Sequence, residues 1–281
     1  MERSGEHAAE RDTGRGRPGG AADGAGPPRL THTVTDGVAT VVISNPAKRN
    51  AMTAAMWRAL PELLDALAAD PAVRVLVLTG DGETFCAGAD IASLREPGPS
   101  PRELAVLAEE ALAAFPRPTL AAVRGHCAGG GCQLAAACDL RFAEEGALFA
   151  VPPARLGVVY PPSAVRRLVA LTGPSTAKYL LFSGEPVDTA RALRTGLVDE
   201  VLPPGGLAGR VAAFTAVLTR RSLLTQTAAK EFVAGDVPPG RAAYWERQAR
   251  EQAEPGGDTA EGVAAFLERR TPRFTWTGPG D

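Results

Sequence analysis

The sequence predicts an α/β fold in which strands and helices alternate and parallel strands are joined by right-handed crossovers. Two almost wholly apolar runs, VRVLVLTG (residues 73–80) and TLAAVRG (119–125), are short enough for strands and have the composition of strands buried on both faces. Around them lie segments with apolar residues at helical spacing, TAAMWRALPELLDALAAD (53–70) and RELAVLAEEALAAF (102–115). From Pro161 onward the strand signal thins and helical segments dominate.

Taken in order, THTVTDGVATVVIS (31–44) is two strands around an Asp36-Gly37 turn, a dipeptide that favours a tight hairpin. NPAKRNAM (45–52) is a polar connector, and the helix that follows carries Pro61, which should interrupt it. Strand 73–80 runs into the loop GDGETFCAGAD (80–90). Helix 102–115 precedes strand 119–125, and CAGGGCQLAAACD (127–139) is a glycine run leading into a short helix. DLRFAEE (139–145) resembles a further strand. Helices are then expected at 175–184, at 188–196, as one long stretch over 208–233, and at 258–270. No internal repeat of fixed period is visible.

With 281 residues the chain can form one large domain, with or without a smaller appendage. Hydrophobic residues make up 45% and charged residues 22%, an ordinary globular mix. A formal net charge of −2 without a dense Lys/Arg block argues against nucleic acid or an anionic membrane as the main partner. No apolar run reaches the length of a membrane span. Residues 1–28 hold seven glycines, three prolines and scattered charges, a composition expected to stay disordered and unlike a secretion signal or a mitochondrial address. Cys86, Cys127, Cys132 and Cys138 lack metal-ligand spacing and read as small buried side chains in a reducing cytoplasm.

The glycine run asks for a chemical account. It is not a dinucleotide fingerprint, a phosphate loop or a serine-hydrolase elbow in any frame. What remains is an anion site made from main chain, because glycines at a helix start leave N–H groups pointing along the helix dipole. FCAGAD, after strand 73–80, could supply a second donor. Tight turns alone would also explain both glycine segments.

Five segments in order resemble the crotonase superfamily, the enoyl-CoA hydratases and isomerases, from about Leu30 to Phe274: NPAKRNAM, TFCAGADI, GHCAGGGCQLAAACD, ARLGVVYPPSAVRRL and SGEPVDTARALRTGLVDEV. The resemblance implies a crotonase-like ββα spiral core over 29–200 and a C-terminal helical trimerisation region over 201–281. It implies acyl-CoA thioester substrates, with coenzyme A arriving as part of the substrate and no permanently bound cofactor or metal. It further implies a cytoplasmic trimer or hexamer, a partner set without nucleic acid or membrane, and a thioester enolate held by the backbone N–H groups of Ala89 and Gly130. Ala87, Asp90 and Ile91 would line the pantetheine channel beside Gly129. Lys48 and Arg49, with Arg269 or Arg270, would lie near the nucleotide phosphates.

The pattern breaks at the two glutamates with which the family's hydratases activate water. Gln133 stands at one position and Pro153 at the other, and neither can exchange a proton near neutral pH. Decarboxylation of a malonyl- or methylmalonyl-type thioester needs no such base, since carbon–carbon cleavage itself delivers the enolate. Tyr160, in LGVVYPP, matches the tyrosine of the superfamily's methylmalonyl-CoA decarboxylases and would hold the substrate carboxylate. The match ends at Pro161-Pro162, and Ala89 stands where those enzymes carry a histidine. Prolines and valines around Val158 would give a dry pocket. Two alternatives remain: a hydratase or isomerase drawing its acid or base from His126 or Glu110, and a non-catalytic acyl-CoA- or protein-binding relative.

Overall fold

The structure is a computed structural model, and it describes residues 26–90 and 100–278. Strands β1 (Arg29–Thr35) and β2 (Val38–Ser44) form the expected antiparallel hairpin, and its turn residues Asp36 and Gly37 both take positive φ, as a two-residue hairpin turn requires. β2 then pairs in parallel with β3 (Val75–Gly80), β3 with β4 (Thr119–Val123), β4 with β6 (Leu140–Glu144) and β6 with β9 (Glu200–Leu202). The six-stranded sheet therefore runs β1-β2-β3-β4-β6-β9. A second sheet joins β5 (His126–Ala128), β7 (Leu148–Ala150) and β8 (Val187–Asp188).

Alternation decides what each face of the main sheet meets. Ala39, Val41, Ile43, Leu76 and Leu78 point into the principal core with helices α1 (Ala54–Ala69), α2 (Pro101–Ala113) and α3 (Gly130–Ala137). Val77, Leu120, Ala122 and Phe142 point to the other face, against α7 (Leu207–Leu218). The short α4 (Pro153–Leu156) and the long α5 (Pro162–Ser183), which turns at Gly173, complete the wall over α3.

Several expectations need correction. Helix α1 runs unbroken through Pro61: one ladder hydrogen bond is forgone, and the buried stripe of Trp57, Leu60 and Leu64 holds the helix regardless. The stretch 208–233 is two helices, α7 and α8 (Leu223–Val233), separated where Ser222 caps the second. Residues 239–251, given no element by the sequence, form α9 (Pro239–Glu251), and α10 (Asp258–Leu267) follows. The last strand of the main sheet, β9, ends at Leu202. Of the tail expected to be disordered, residues 1–25 lie outside the described residues, as does Ile91. No helix among the described residues is long and apolar enough to cross a membrane.

Candidate active site

Main-chain hydrogen bonds stitch the loop after β3 to its neighbours on both sides. Cys86 donates to the His126 carbonyl at 3.0 Å and accepts from Ala128 at 2.9 Å, which fastens it to β5. On the other side Ala87 donates to the Arg49 carbonyl at 3.0 Å, the Gly88 carbonyl accepts from Met52 at 2.8 Å, and Asp90 donates to the Met52 carbonyl at 2.8 Å. The anchor for residues 45–52 is itself fixed, because Asn50 Nδ2 donates to the carbonyls of Asp81 and Thr84.

Two N–H groups are left over. Among the described residues, neither the Ala89 nor the Gly130 amide donates to any acceptor. They are neighbours: a Cβ built on Gly130 would lie 3.7 Å from the Ala89 nitrogen, and one built on Gly88 would lie 3.3 Å from the Gly130 nitrogen. The Gly130 amide also opens helix α3, so the helix dipole adds positive potential at this point. Two unpaired donors side by side form a cradle for a developing oxyanion.

Each residue of the glycine run has its own reason to lack a side chain. Gly129 takes φ 50°, ψ −116°, a conformation that other residues avoid, and its N–H donates to Ala150 at 2.8 Å. At Gly130 a Cβ would come within 2.9 Å of the Trp57 ring, and at Gly131 within 2.3 Å of the Cys86 carbonyl oxygen. Tight turns alone do not account for the run.

Tyr160 reaches back over this segment, and its hydroxyl donates to the Gly129 carbonyl at 3.1 Å. Burial, with the Cys132 thiol and the Glu109 carboxylate nearby, pushes its pKa well above the ordinary value, so the phenol stays neutral. Pro153 is buried as the first residue of α4. Val158 is 45% and Val159 78% exposed, on the connection between α4 and α5. Lys48 pairs with Asp90 at 2.6 Å across the two loop segments, with Arg49 exposed beside it. Arg270 is held instead by Glu261 and Glu268, within the C-terminal helical region.

Gln133 is buried in the first turn of α3, and the structure gives it a partner that the sequence reading missed. Its Nε2 donates to Glu109 Oε2 at 2.6 Å, and Ser163 Oγ donates to the same oxygen at 3.1 Å. Arg167 closes on Glu109 Oε1 and also pairs with Glu110 at 3.0 Å. Burial disfavours the charged guanidinium, but these two carboxylates more than offset that, and the Arg167 pKa is raised. Glu109 is wholly buried. Glu110, suggested as acid or base, lies one helical step further on, which turns its side chain to the surface, where it is 52% exposed. A usable signal existed, since Glu109 falls four after Ala105 and three before Leu112 on the apolar stripe of α2. The other suggestion, His126, lies in β5, and its ring makes no hydrogen bond among the described residues.

A groove of about 640 Å³ between the sheet and α7 lies on the opposite face, lined by Thr40, Val77, Val211 and Thr215, and contains none of the cradle residues. All four cysteines are free and buried.

Residues 33–277 match the family model for enoyl-CoA hydratase/isomerase. The chain is 34% identical to a crotonyl-CoA hydratase of Syntrophomonas wolfei, covering 84% of this chain and 94% of the relative. It is 32% identical to a 2,3-dehydroadipyl-CoA hydratase of Escherichia coli, with the same coverage of each. Among solved structures, an enoyl-CoA hydratase/isomerase family member superposes with a TM-score of 0.82 at 38% identity, over 90% of this chain and 98% of that one.

Proposed function

The chain belongs to the enoyl-CoA hydratase/isomerase family, and on that premise we propose that it converts a coenzyme A thioester by holding the enolate oxygen between the Ala89 and Gly130 amides. One observation carries this reading: two adjacent main-chain donors with no acceptor of their own among the described residues, one of them at a helix N-terminus. Coenzyme A enters with the substrate, its pantetheine along Ala87, Asp90 and Gly129 and its phosphates toward Lys48 and Arg49.

The finer reading is decarboxylation of a malonyl- or methylmalonyl-type thioester. Gln133 and Pro153 offer no base at the reacting carbons, and this reaction requires none. The bond from the α-carbon to the carboxylate breaks, carbon dioxide leaves, and the electron pair passes into the thioester as an enolate whose oxygen the two amides hold. The α-carbon then takes a proton from water. The single O–H of Tyr160 donates to the Gly129 carbonyl and supports the cradle; to hold the substrate carboxylate it would exchange that bond for one to the carboxylate. Carbon dioxide release and the acyl product should appear by mass spectrometry with malonyl-, methylmalonyl- or ethylmalonyl-CoA. No product from all three would remove the decarboxylase reading and leave the thioester cradle standing.

A second reading is hydration or isomerisation. It is favoured by the buried Glu109 carboxylate beside Gln133 and by the hydratase names of the relatives. Crotonyl-CoA hydration at ordinary family rates, lost in Glu109→Ala, would put this reading first.

A further inference from the structure

We propose that Glu109 is a positioning residue that locks the Gln133 amide with its carbonyl oxygen toward the acyl group, so that the site disfavours β-substituents able only to accept hydrogen bonds. The inference rests on the thioester reading of the cradle. It starts from the chemistry of one contact. An ionised carboxylate can only accept, so the Gln133 atom 2.6 Å from Glu109 Oε2 must be the NH2 group. Arg167 and Ser163 fix Glu109 from its remaining sides, and its complete burial leaves it no room to swing away.

Gln133 Oε1 is then the atom left to act. Among the described residues it accepts no hydrogen bond, while the Nε2 of the same amide is held by Glu109. Gln133 sits in the first turn of α3, three residues after the cradle amide of Gly130. A β-hydroxyl can donate to Oε1. A β-keto oxygen or a β-carboxylate meets a lone pair instead, and for a malonyl-type substrate that mismatch raises the bound ground state and disappears when carbon dioxide leaves.

The lock also predicts how to invert it. In Glu109→Gln the new amide must turn its oxygen to Arg167, which has donors only, and so presents its NH2 to Gln133. Gln133 must flip to accept, and its own NH2 then faces the acyl group. Glu109→Asp keeps the acceptor and should keep the polarity.

The test measures dissociation constants of 3-hydroxybutyryl-CoA and acetoacetyl-CoA by calorimetry for the native protein and both variants. The native protein and Glu109→Asp should prefer the hydroxy ligand roughly five- to tenfold, and Glu109→Gln should lose or reverse that preference. With a malonyl-type substrate, KM and kcat should fall together in Glu109→Gln, the signature of relieved ground-state mismatch. An unchanged preference in a folded Glu109→Gln protein would overturn the proposal. Failure of both ligands to bind the native protein would overturn the thioester reading itself. Absence of carbon dioxide release with the ligand preference intact would remove decarboxylation alone.

Discussion

Replacing Gly130 with proline deletes one of the two cradle N–H groups, and replacing it with alanine supplies the comparison that isolates the deletion. A Cβ at this position would lie 2.9 Å from Trp57 Cζ2 and 3.1 Å from Cη2. Trp57 is 1% exposed and cannot move aside freely, so both substitutions overpack the same spot and should lower stability by roughly 1–3 kcal/mol. Proline at the first position of α3 adds little to that, because an N–H there has no partner within the helix. The two variants therefore differ in the donor and in the ring Cδ that takes the place of its hydrogen. Loss of one oxyanion donor removes about 2.7–4 kcal/mol of transition-state stabilisation, or roughly 10²–10³-fold in turnover. Single-turnover rates should be measured on whichever thioester the native protein converts, with folded fraction and ligand affinity determined in parallel. Gly130→Pro should fall about a hundredfold or more below Gly130→Ala while both still bind the thioester. A folded proline variant within about threefold of the alanine variant would refute the assignment, since the amide would then contribute nothing to the developing charge.

Other consequences are accessible to standard measurements. Arg167→Ala leaves the Glu109 carboxylate buried without its cation, and urea denaturation should show a loss of roughly 3 kcal/mol; a loss under about 1 kcal/mol would mean the pair is dispensable. Burial pushes the thiols of Cys86 and Cys138 up to about 12 from an ordinary value of 9.0. Above pH 9 the unfolded thiols lose protons that the folded ones keep, so stability present below pH 9 should fall by about 1.4 kcal/mol per pH unit for each thiol as pH rises toward 12. Equal denaturation midpoints at pH 8 and pH 10 would contradict this, and Cys138→Ala should make the slope shallower. Phe266 and Leu267 on α10 are 83% and 74% exposed in the single chain, which suits a trimer or hexamer. Light scattering should show that assembly at micromolar concentration and its loss in Phe266→Glu, and a monomeric native protein would exclude it.

Much of the fold was legible because it depends on local periodicity. The apolar runs 73–80 and 119–125 became β3 and β4, and Asp36-Gly37 made the hairpin turn. Pro61 was misleading because its local penalty is set against burial of a whole helix face, which a propensity argument does not weigh. The helix 239–251 is strongly polar, and its buried contacts rest largely on Trp245 packing with Leu223, Leu224 and Trp276, residues far apart in sequence. The glycine run was legible as a close approach of backbone to something. That Gly130 yields to Trp57 and Gly131 to the Cys86 carbonyl could not be read, since both neighbours arrive from other elements.

The replacement of two glutamates reads in the sequence as simple loss of a base, and the decarboxylation reading drew on that loss. In the folded chain a carboxylate stands beside Gln133, supplied by α2 and countered by Arg167 from α5. At 4 Å and an effective dielectric of 20, a carboxylate facing a malonyl group would repel it by about 4 kcal/mol. Paired with a guanidinium and bonded to the Gln133 amide, Glu109 would, on the proposal above, act on the substrate through that amide. Three helices must pack before Glu109, Gln133 and Arg167 meet, the first two lying 24 positions apart in sequence and the outer pair 58. A polar residue on an apolar stripe, as Glu109 is on α2, is therefore the feature by which such a rearrangement shows itself in a sequence, because burial of a carboxylate demands donors from elsewhere in the fold.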